Sequence, residues 1–245
     1  MNYKNILIIF IILYILVLIR GRMVAKQLYL LPENPKTNEM KKLLDLCVKY
    51  LNKHNIHYWL HCGTLLGAIR NNKFISFDDD LDICIYDNNS NNILNCINDL
   101  RKILNVNNDI NIGYQLSFQK NITKNIHIDF FIISKINNKL LPSKWCLNNW
   151  PNEWYYFDDV YPLKTITMYD TQYNIPNKSI KILNKFYGHS WNNKVIVDCH
   201  WCINIFDKLC MKTAYHTNKK LVEFPINNIK EIQDDDDSSS DEEED

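Results

Sequence analysis

Glycine and proline are scarce in this chain, five and seven in 245 residues. So few exclude collagen-like repeats and Gly- or Pro-rich linker sequences. Arginine is scarcer still, at four, whereas asparagine occurs 34 times. That bias is the kind an AT-rich genome imposes and carries no functional weight. Net charge is also absent, because 28 basic and 28 acidic residues cancel. The balance conceals a split: nine acids and no base fall in residues 234–245, leaving 28 bases against 19 acids in the body. A positive body suits an anionic substrate, and nothing in the pattern calls for a nucleic-acid partner. Eight cysteines are too few for a disulfide-dense scaffold. Cys47, Cys84 and Cys96 sit among apolar residues, as small core side chains do. Cys199-His200-Trp201-Cys202, with His189 and Cys210 nearby, is half of a zinc motif. Without a second pair, zinc, free thiols and a local disulfide all stay open.

What is abundant is apolar matter, at 46% of residues against 23% charged. That is enough for a packed core and excludes a disordered chain. The length fits one domain, and no internal repeats are visible. Ile6–Ile19 is an unbroken apolar run flanked by Lys4 and by Arg20, Arg22 and Lys26. It is shorter than the roughly 20 residues a spanning helix uses, but flanking side chains can snorkel. Its length also suits a cleaved signal peptide, yet no small-x-small cleavage site follows. An uncleaved signal-anchor over residues 1–22, making the protein a single-pass membrane protein, is the reading favoured. Positive charge on both sides leaves its orientation open.

Residues 23–36, with Pro32 and Pro35, read as a spacer, and the folded domain is expected over 37–230. Met40, Leu43, Leu44, Cys47, Val48 and Leu51 form one face of a helix with Thr37 at its N-cap. His57–His61 reads as a strand, Gly63-Thr64 as a turn and Leu65–Arg70 as a short helix. Leu81–Tyr86, Tyr114–Gln119 and Ile126–Ile133 read as strands, with a helix carrying Ile93, Ile97, Leu100 and Leu104 between them. Aromatics crowd residues 145–161. Asp170-Thr171 reads as a hairpin turn. Asn177 is placed as the cap of a helix that ends at Tyr187, with Gly188 beyond it. A further helix is expected around 201–211, and residues 231–245 form a disordered acidic tail. The order of strands and helices is that of an α/β (α+β) domain.

The chemistry concentrates in Gly63-Thr64-Leu65-Leu66-Gly67, Arg70 and Asp78-Asp79-Asp80-Leu81-Asp82. Asp80 and Asp82, two apart at the start of a strand, point to the same side. Two carboxylates held together repel unless a cation neutralises them, and oxygen-only donors favour Mg²⁺ or Mn²⁺ over zinc. Asp129 interrupts an almost wholly apolar strand and would cost several kcal/mol if buried uncompensated. If its strand neighbours that of Asp80 and Asp82, the three share one metal site, with Asp78 as a further ligand and Asp79 facing solvent. Gly63 and Thr64 would supply a backbone N–H and a hydroxyl to a phosphate. Arg70 would fork onto a phosphate, or is a surface arginine at a helix end. The acid run is not an EF-hand: counting from Asp78, Ile83 stands at the glycine position and Asn89 at the closing glutamate position.

These motifs resemble the LicD/fukutin family. Gly63–Arg70 (GTLLGAIR), Phe74-Ile75 and Asp78–Asp82 follow its GTLLG-x-x-R segment, aromatic and acidic run. Asp129-Phe130-Phe131 is similar to its third acidic strand, and Phe157–Leu163 to its aromatic-proline segment. Tyr173–Pro176, Tyr187-Gly188 and Trp191 are similar to its closing element. The resemblance covers about residues 38–192. Two departures are Phe77, where the family has Trp, and no clear counterpart of the zinc-binding insertion of some animal members. The resemblance implies a nucleotidyltransferase-like fold, a small mixed sheet flanked by helices, and metal-dependent transfer of a phospho-alcohol, such as phosphocholine or ribitol phosphate, from a CDP-alcohol donor to a glycan acceptor. It casts Asp80, Asp82 and Asp129 as the catalytic acids. Two rival readings are a DxD glycosyltransferase using a nucleotide sugar and a membrane-anchored non-catalytic relative. The first normally needs a longer nucleotide-binding region than the about 40 residues between Thr37 and Asp78. The second leaves the acids and the glycine turn unexplained.

Overall fold

The computed structural model of the chain describes residues 2–78, 80–110, 113–117, 126–197 and 205–226, with backbone alone at 105–110, 115 and 117. Asp79, the Cys199–Cys202 pair and the acidic tail lie outside these residues. In chain order the elements are α1 (Tyr3–Tyr29), α2 (Thr37–Lys53), β1 (Tyr58–Leu60), α3 (Cys62–Asn71), β2 (Asp80–Tyr86), α4 (Ser90–Arg101), β3 (Asn105–Ile110), β4 (Gly113–Ser117) and β5 (His127–Ile136). There follow β6 (Lys139–Leu141), α5 (Lys144–Asn149), β7 (Tyr155–Tyr156), α6 (Phe157–Val160), β8 (Lys164–Met168), β9 (Thr171–Ile175), α7 (Ser179–Tyr187), β10 (Lys194–Ile196), α8 (Ile205–Thr217) and β11 (Glu223–Pro225).

The main sheet runs β1-β2-β5-β4-β3, with β6 continuing from β5 and β7 pairing β6. Its centre is the parallel pair β2–β5; β1 joins β2, and β4 joins β5, antiparallel. Leu81, Ile83, Cys84 and Ile85 of β2 and Ile128 and Phe130 of β5 are fully buried. This continuous burial, rather than alternation, marks strands covered on both faces. The apolar stripe of α2 packs over β2 and β5 with α4 beside it. The fold is thus a mixed α/β domain with a curled mixed sheet, as the sequence implies.

Several boundaries differ from the sequence reading. Thr37 is the first residue of α2 and not its cap; Asn34 closes that end, accepting from the Lys36 N–H at 2.9 Å while its carbonyl accepts from the Thr37 hydroxyl at 2.7 Å. Gly63 and Thr64 lie inside the first turn of α3, not in a separate turn. The β8–β9 turn is Tyr169-Asp170, with Tyr169 left-handed at φ 58°, one residue earlier than expected. Asn177 does not cap α7, which starts at Ser179. Strand β3, NVNNDI, carries no apolar alternation and was not foreseen; it pairs β4 at the sheet edge.

The largest difference is at the N-terminus. The expected spacer begins as helix, because α1 continues unbroken to Tyr29. Its 27 residues reach about 40 Å at 1.5 Å per residue. Among the described residues it is the one helix long and apolar enough to cross a membrane. Ile6 to Leu16 are exposed throughout, whereas Gly21, Val24, Ala25 and Leu28 are buried. That second face packs with Phe77, Val197, Met211, Ala214, Val222 and Phe224 into a small separate core. Arg20 pairs with the buried carboxylate of Asp207 on α8 through two bonds, at 2.6 and 2.9 Å. The Tyr14 hydroxyl meets Thr217 at 2.8 Å.

Gly21 is where α1 and α8 come closest: a Cβ there would sit 2.2 Å from the Cys210 carbonyl oxygen. Gly21→Val should therefore force the helices apart and destabilise the chain by about 1–3 kcal/mol. Leu7→Val, in the exposed stretch, should leave stability unchanged. Melting of full-length variants in detergent checks this, and equal Tm values for the two would contradict the packing.

Candidate active site

Register builds the site. Parallel pairing sets Asp82 opposite Asp129 and Asp80 opposite His127. The neighbouring strands that the sequence reading required are thus present, and they bring the predicted acids together. Asp82 is buried at 9% exposure. Its backbone is held on both sides by the start of α3: its N–H donates to the Thr64 hydroxyl at 2.9 Å, and its carbonyl accepts from the His61 N–H at 3.1 Å. The Thr64 oxygen expected at a phosphate is thus committed, as an acceptor, to the strand.

Gly63 lies directly over the acids. A Cβ there would meet Asp78 Oδ2 at 2.5 Å and Asp82 Oδ2 at 3.8 Å. Glycine is needed here for space, not for its backbone angle. The loop that delivers Asp78 is clamped from behind. The Asn34 side-chain amide donates to the carbonyls of Ile75 and Asp78, at 3.0 and 2.7 Å. Phe77 is buried in the small core with the end of α1.

Burial, then Asp80, Asp78, Asp129 and Glu153 in that order, hold the Asp82 carboxyl well above the usual carboxylate range. His127 Nε2 lies 3.9 Å from Asp129 Oδ1. Arg70, expected at a phosphate, is not brought to the carboxylates. Two turns along α3, its Nη2 donates to the carbonyls of Trp191 and Lys194, and its guanidinium lies over the Trp191 ring. Burial lowers its pKa to about 10, and its Nε has no hydrogen-bond partner among the described residues.

Residues the sequence reading passed over line the same place. Glu153, in the loop before β7, is pushed up to about 7 by burial. Tyr187, at the end of α7, is 42% exposed as a residue, but its hydroxyl is raised by local desolvation and by Cys62, Asp82, Glu153 and Asp78. His61 and Cys62 adjoin Gly63. An acid inside an aromatic run is a readable signal for Glu153; Tyr187 is marked as a helix end and by the resemblance to the closing element, but not as a site residue. Of the aromatics at 145–161, Tyr155 is core, whereas Trp145 and Trp150 pack edge to face at 5.4 Å and are each 42% exposed.

Acids thus converge at the start of two neighbouring parallel strands, under a helix whose first turn carries a glycine. The chain belongs to the LicD/FKTN/FKRP family, whose nucleotidyltransferase domain model matches residues 55–178. That span carries α3, the acid run and Asp129. Two uncharacterized proteins are similar: one from Rickettsia prowazekii (strain Madrid E), 30% identical over 165 residues, and one from Rickettsia typhi (strain ATCC VR-144 / Wilmington), 30% identical over 164. Each alignment covers 66% of this chain but only 58% and 49% of those relatives. Solved structures that superpose loosely include the antibiotic-resistance factor ANT(2'')-Ia in solution, with TM-score 0.41, 8% identity, 74% of this chain and 85% of the other. An antigenic nucleotidyltransferase-like protein from Paracoccidioides brasiliensis gives TM-score 0.36 and 10% identity over 76% and 91%.

The raised Asp82 pKa sets a pH dependence. A carboxyl that binds its proton more tightly in the folded chain disfavours folding increasingly as pH rises from its unfolded pKa, about 4, through its folded one. Asp82→Asn cannot ionise. In chelator, its Tm relative to wild type should therefore climb as pH is raised from about 4 to neutral. A difference that stays flat with pH would show that Asp82 is not under this constraint.

Proposed function

We propose that the chain transfers a phospho-alcohol, such as phosphocholine or ribitol phosphate, from a CDP-alcohol to a glycan hydroxyl, using Mg²⁺ or Mn²⁺ held by Asp80, Asp82 and Asp129, with Asp78 as a further ligand. The observation that carries this reading is the register of Asp82 against Asp129, with Asp78 converging over Gly63. The donor set fits a hard divalent cation: several carboxylates crowd one buried carboxylate, and the space between Asp78 and Asp82 is one a Cβ at Gly63 would fill. Such a cation, when bound, offsets charge on the donor's phosphates.

The chain's own groups do the rest. Thr64 and His61 fix the Asp82 backbone, so its carboxylate is pre-positioned. Asn34 and Phe77 hold the Asp78 loop in place. Asp129, less buried than Asp82, completes the ligand set or accepts the proton of the attacking hydroxyl. Exposed Trp145 and Trp150 offer ring faces to a sugar. The apolar stretch at residues 6–19, exposed along α1 from Ile6 to Leu16, is proposed to anchor the protein in a membrane.

A screen of CDP-alcohols and nucleotide sugars with Mn²⁺ tests the reading. Transfer from a CDP-alcohol is expected, and Asp80→Asn and Asp82→Asn should each reduce it at least a thousandfold while the variants stay folded. Transfer from a nucleotide sugar alone would favour the glycosyltransferase reading. Near-wild-type turnover in either variant would remove that residue from the site.

A further inference from the structure

Just before Gly63 lies a second group of donors, chemically unlike the carboxylates. His61 Nε2 is 3.2 Å from Cys62 Sγ, Cys62 Sγ is 3.7 Å from Glu153 Oε1, and His61 Nε2 is 3.9 Å from Glu153 Oε2. Consecutive side chains leaving a strand normally point apart. Here Cys62 adopts a left-handed φ of 39°, which brings its sulfur back to the imidazole. Such a backbone is costly for a non-glycine residue and is held by its surroundings. We infer that His61, Cys62 and Glu153 form a Zn²⁺ site beside the carboxylate cluster and sharing no ligand with it, with Nε2, Sγ and one carboxylate oxygen as ligands and a fourth position left to water.

The distances support this. Zinc bonds of about 2.3 Å to sulfur and 2.0–2.2 Å to nitrogen and oxygen set tetrahedral ligand separations of about 3.3–3.6 Å. The His61–Cys62 separation is close to that range, and with a single Glu153 oxygen taken for both partners the three donors all lie within 4.8 Å of one another, so a contraction of the Glu153 arm closes the site. The donor types also select: thiolate with imidazole and one carboxylate suits zinc and not magnesium. Three protein ligands and one open position is the pattern of zinc sites that keep a water.

The surroundings orient the imidazole as a zinc ligand requires. The Tyr155 hydroxyl lies 2.6 Å from His61 Nδ1 and 3.4 Å from Cys84 Sγ. With the ring proton on Nδ1 donated to Tyr155, and the Tyr155 O–H turned to Cys84, the Nε2 lone pair faces Cys62 and Glu153. Phe131 and Phe186 pack edge-on against the ring, with centroids at 4.6 and 5.8 Å, and fix its plane. The Glu153 side chain keeps 19% exposure, which leaves the group open to solvent. Binding releases the thiol proton to water and leaves the thiolate on the metal.

The full-length chain in detergent, stripped with chelator and titrated with Co²⁺, tests the site. A thiolate-to-cobalt charge-transfer band is expected, because the carboxylate cluster contains no sulfur. Cys62→Ser should abolish the band, Glu153→Gln should weaken Co²⁺ binding at least tenfold, and Tyr155→Phe should weaken it about 10–100-fold. Asp80→Asn and the paired Cys199→Ser/Cys202→Ser variant should keep it. X-ray absorption on the zinc-loaded wild type should give one sulfur among nitrogen and oxygen ligands. A missing band in wild type, a band that survives Cys62→Ser, or a zinc shell without sulfur would overturn the assignment. Because Asp80→Asn spares the band, failure here and failure of the transferase reading are told apart.

Discussion

Parallel pairing of β2 with β5 sets Asp82 directly beside Asp129 inside a sheet covered on both faces. Two carboxylates so placed lose water and gain each other's charge, and each effect raises the cost of ionisation. Everything near them serves that arrangement. The start of α3 is tied to the Asp82 backbone by Thr64 and His61, and Gly63 leaves the space in which Asp78 approaches. A fold that only needed stability would place apolar side chains at 82 and 129, as it does at residues 81 and 83–85 of β2 and at 128 and 130–133 of β5. The proposed cation would offset the charge of the several acids kept there.

The acid loop is also coupled to the N-terminal helix. Phe77 precedes Asp78 and packs with Val24, Ala25 and Leu28 of α1 and with Met211 and Ala214 of α8. Asn34, in the link between α1 and α2, holds the Ile75 and Asp78 carbonyls. The helix bearing the exposed apolar stretch is therefore continuous, through packing and hydrogen bonds, with the loop that supplies a site carboxylate. In the resembled family a tryptophan stands at position 77; a phenylalanine there still fills this core, without an indole N–H to satisfy.

Much of this was legible in the residues. Period-3.6 burial in α2 and α4, and the apolar strands β2 and β5, follow directly from spacing. The Asp cluster and Asp129 stand out because charge inside such strands needs a reason. Other features depend on tertiary contacts. In α1 the buried face at Gly21, Val24, Ala25 and Leu28 follows an unbroken apolar run, which hides where one environment ends and the next begins. Strand β3 is Asn-rich and is held by edge pairing, not by propensity. Arg70 looks like a phosphate ligand from its place in the motif; that its Nη2 donates to the carbonyls of Trp191 and Lys194, more than 120 positions away, depends on tertiary contacts. Glu153 and Tyr187 reach the site across loops no local pattern connects to Gly63.

The central claim is that Asp129 and Asp82 act as one cation-binding unit because register places them together. Electron paramagnetic resonance titration of Mn²⁺ into the full-length chain, compared with Asp129→Asn, tests it most directly. The expected result is bound Mn²⁺ in the wild type and an at least tenfold weaker affinity in the variant, with the fold unchanged by circular dichroism. Equal Mn²⁺ affinity in the two proteins would contradict the account.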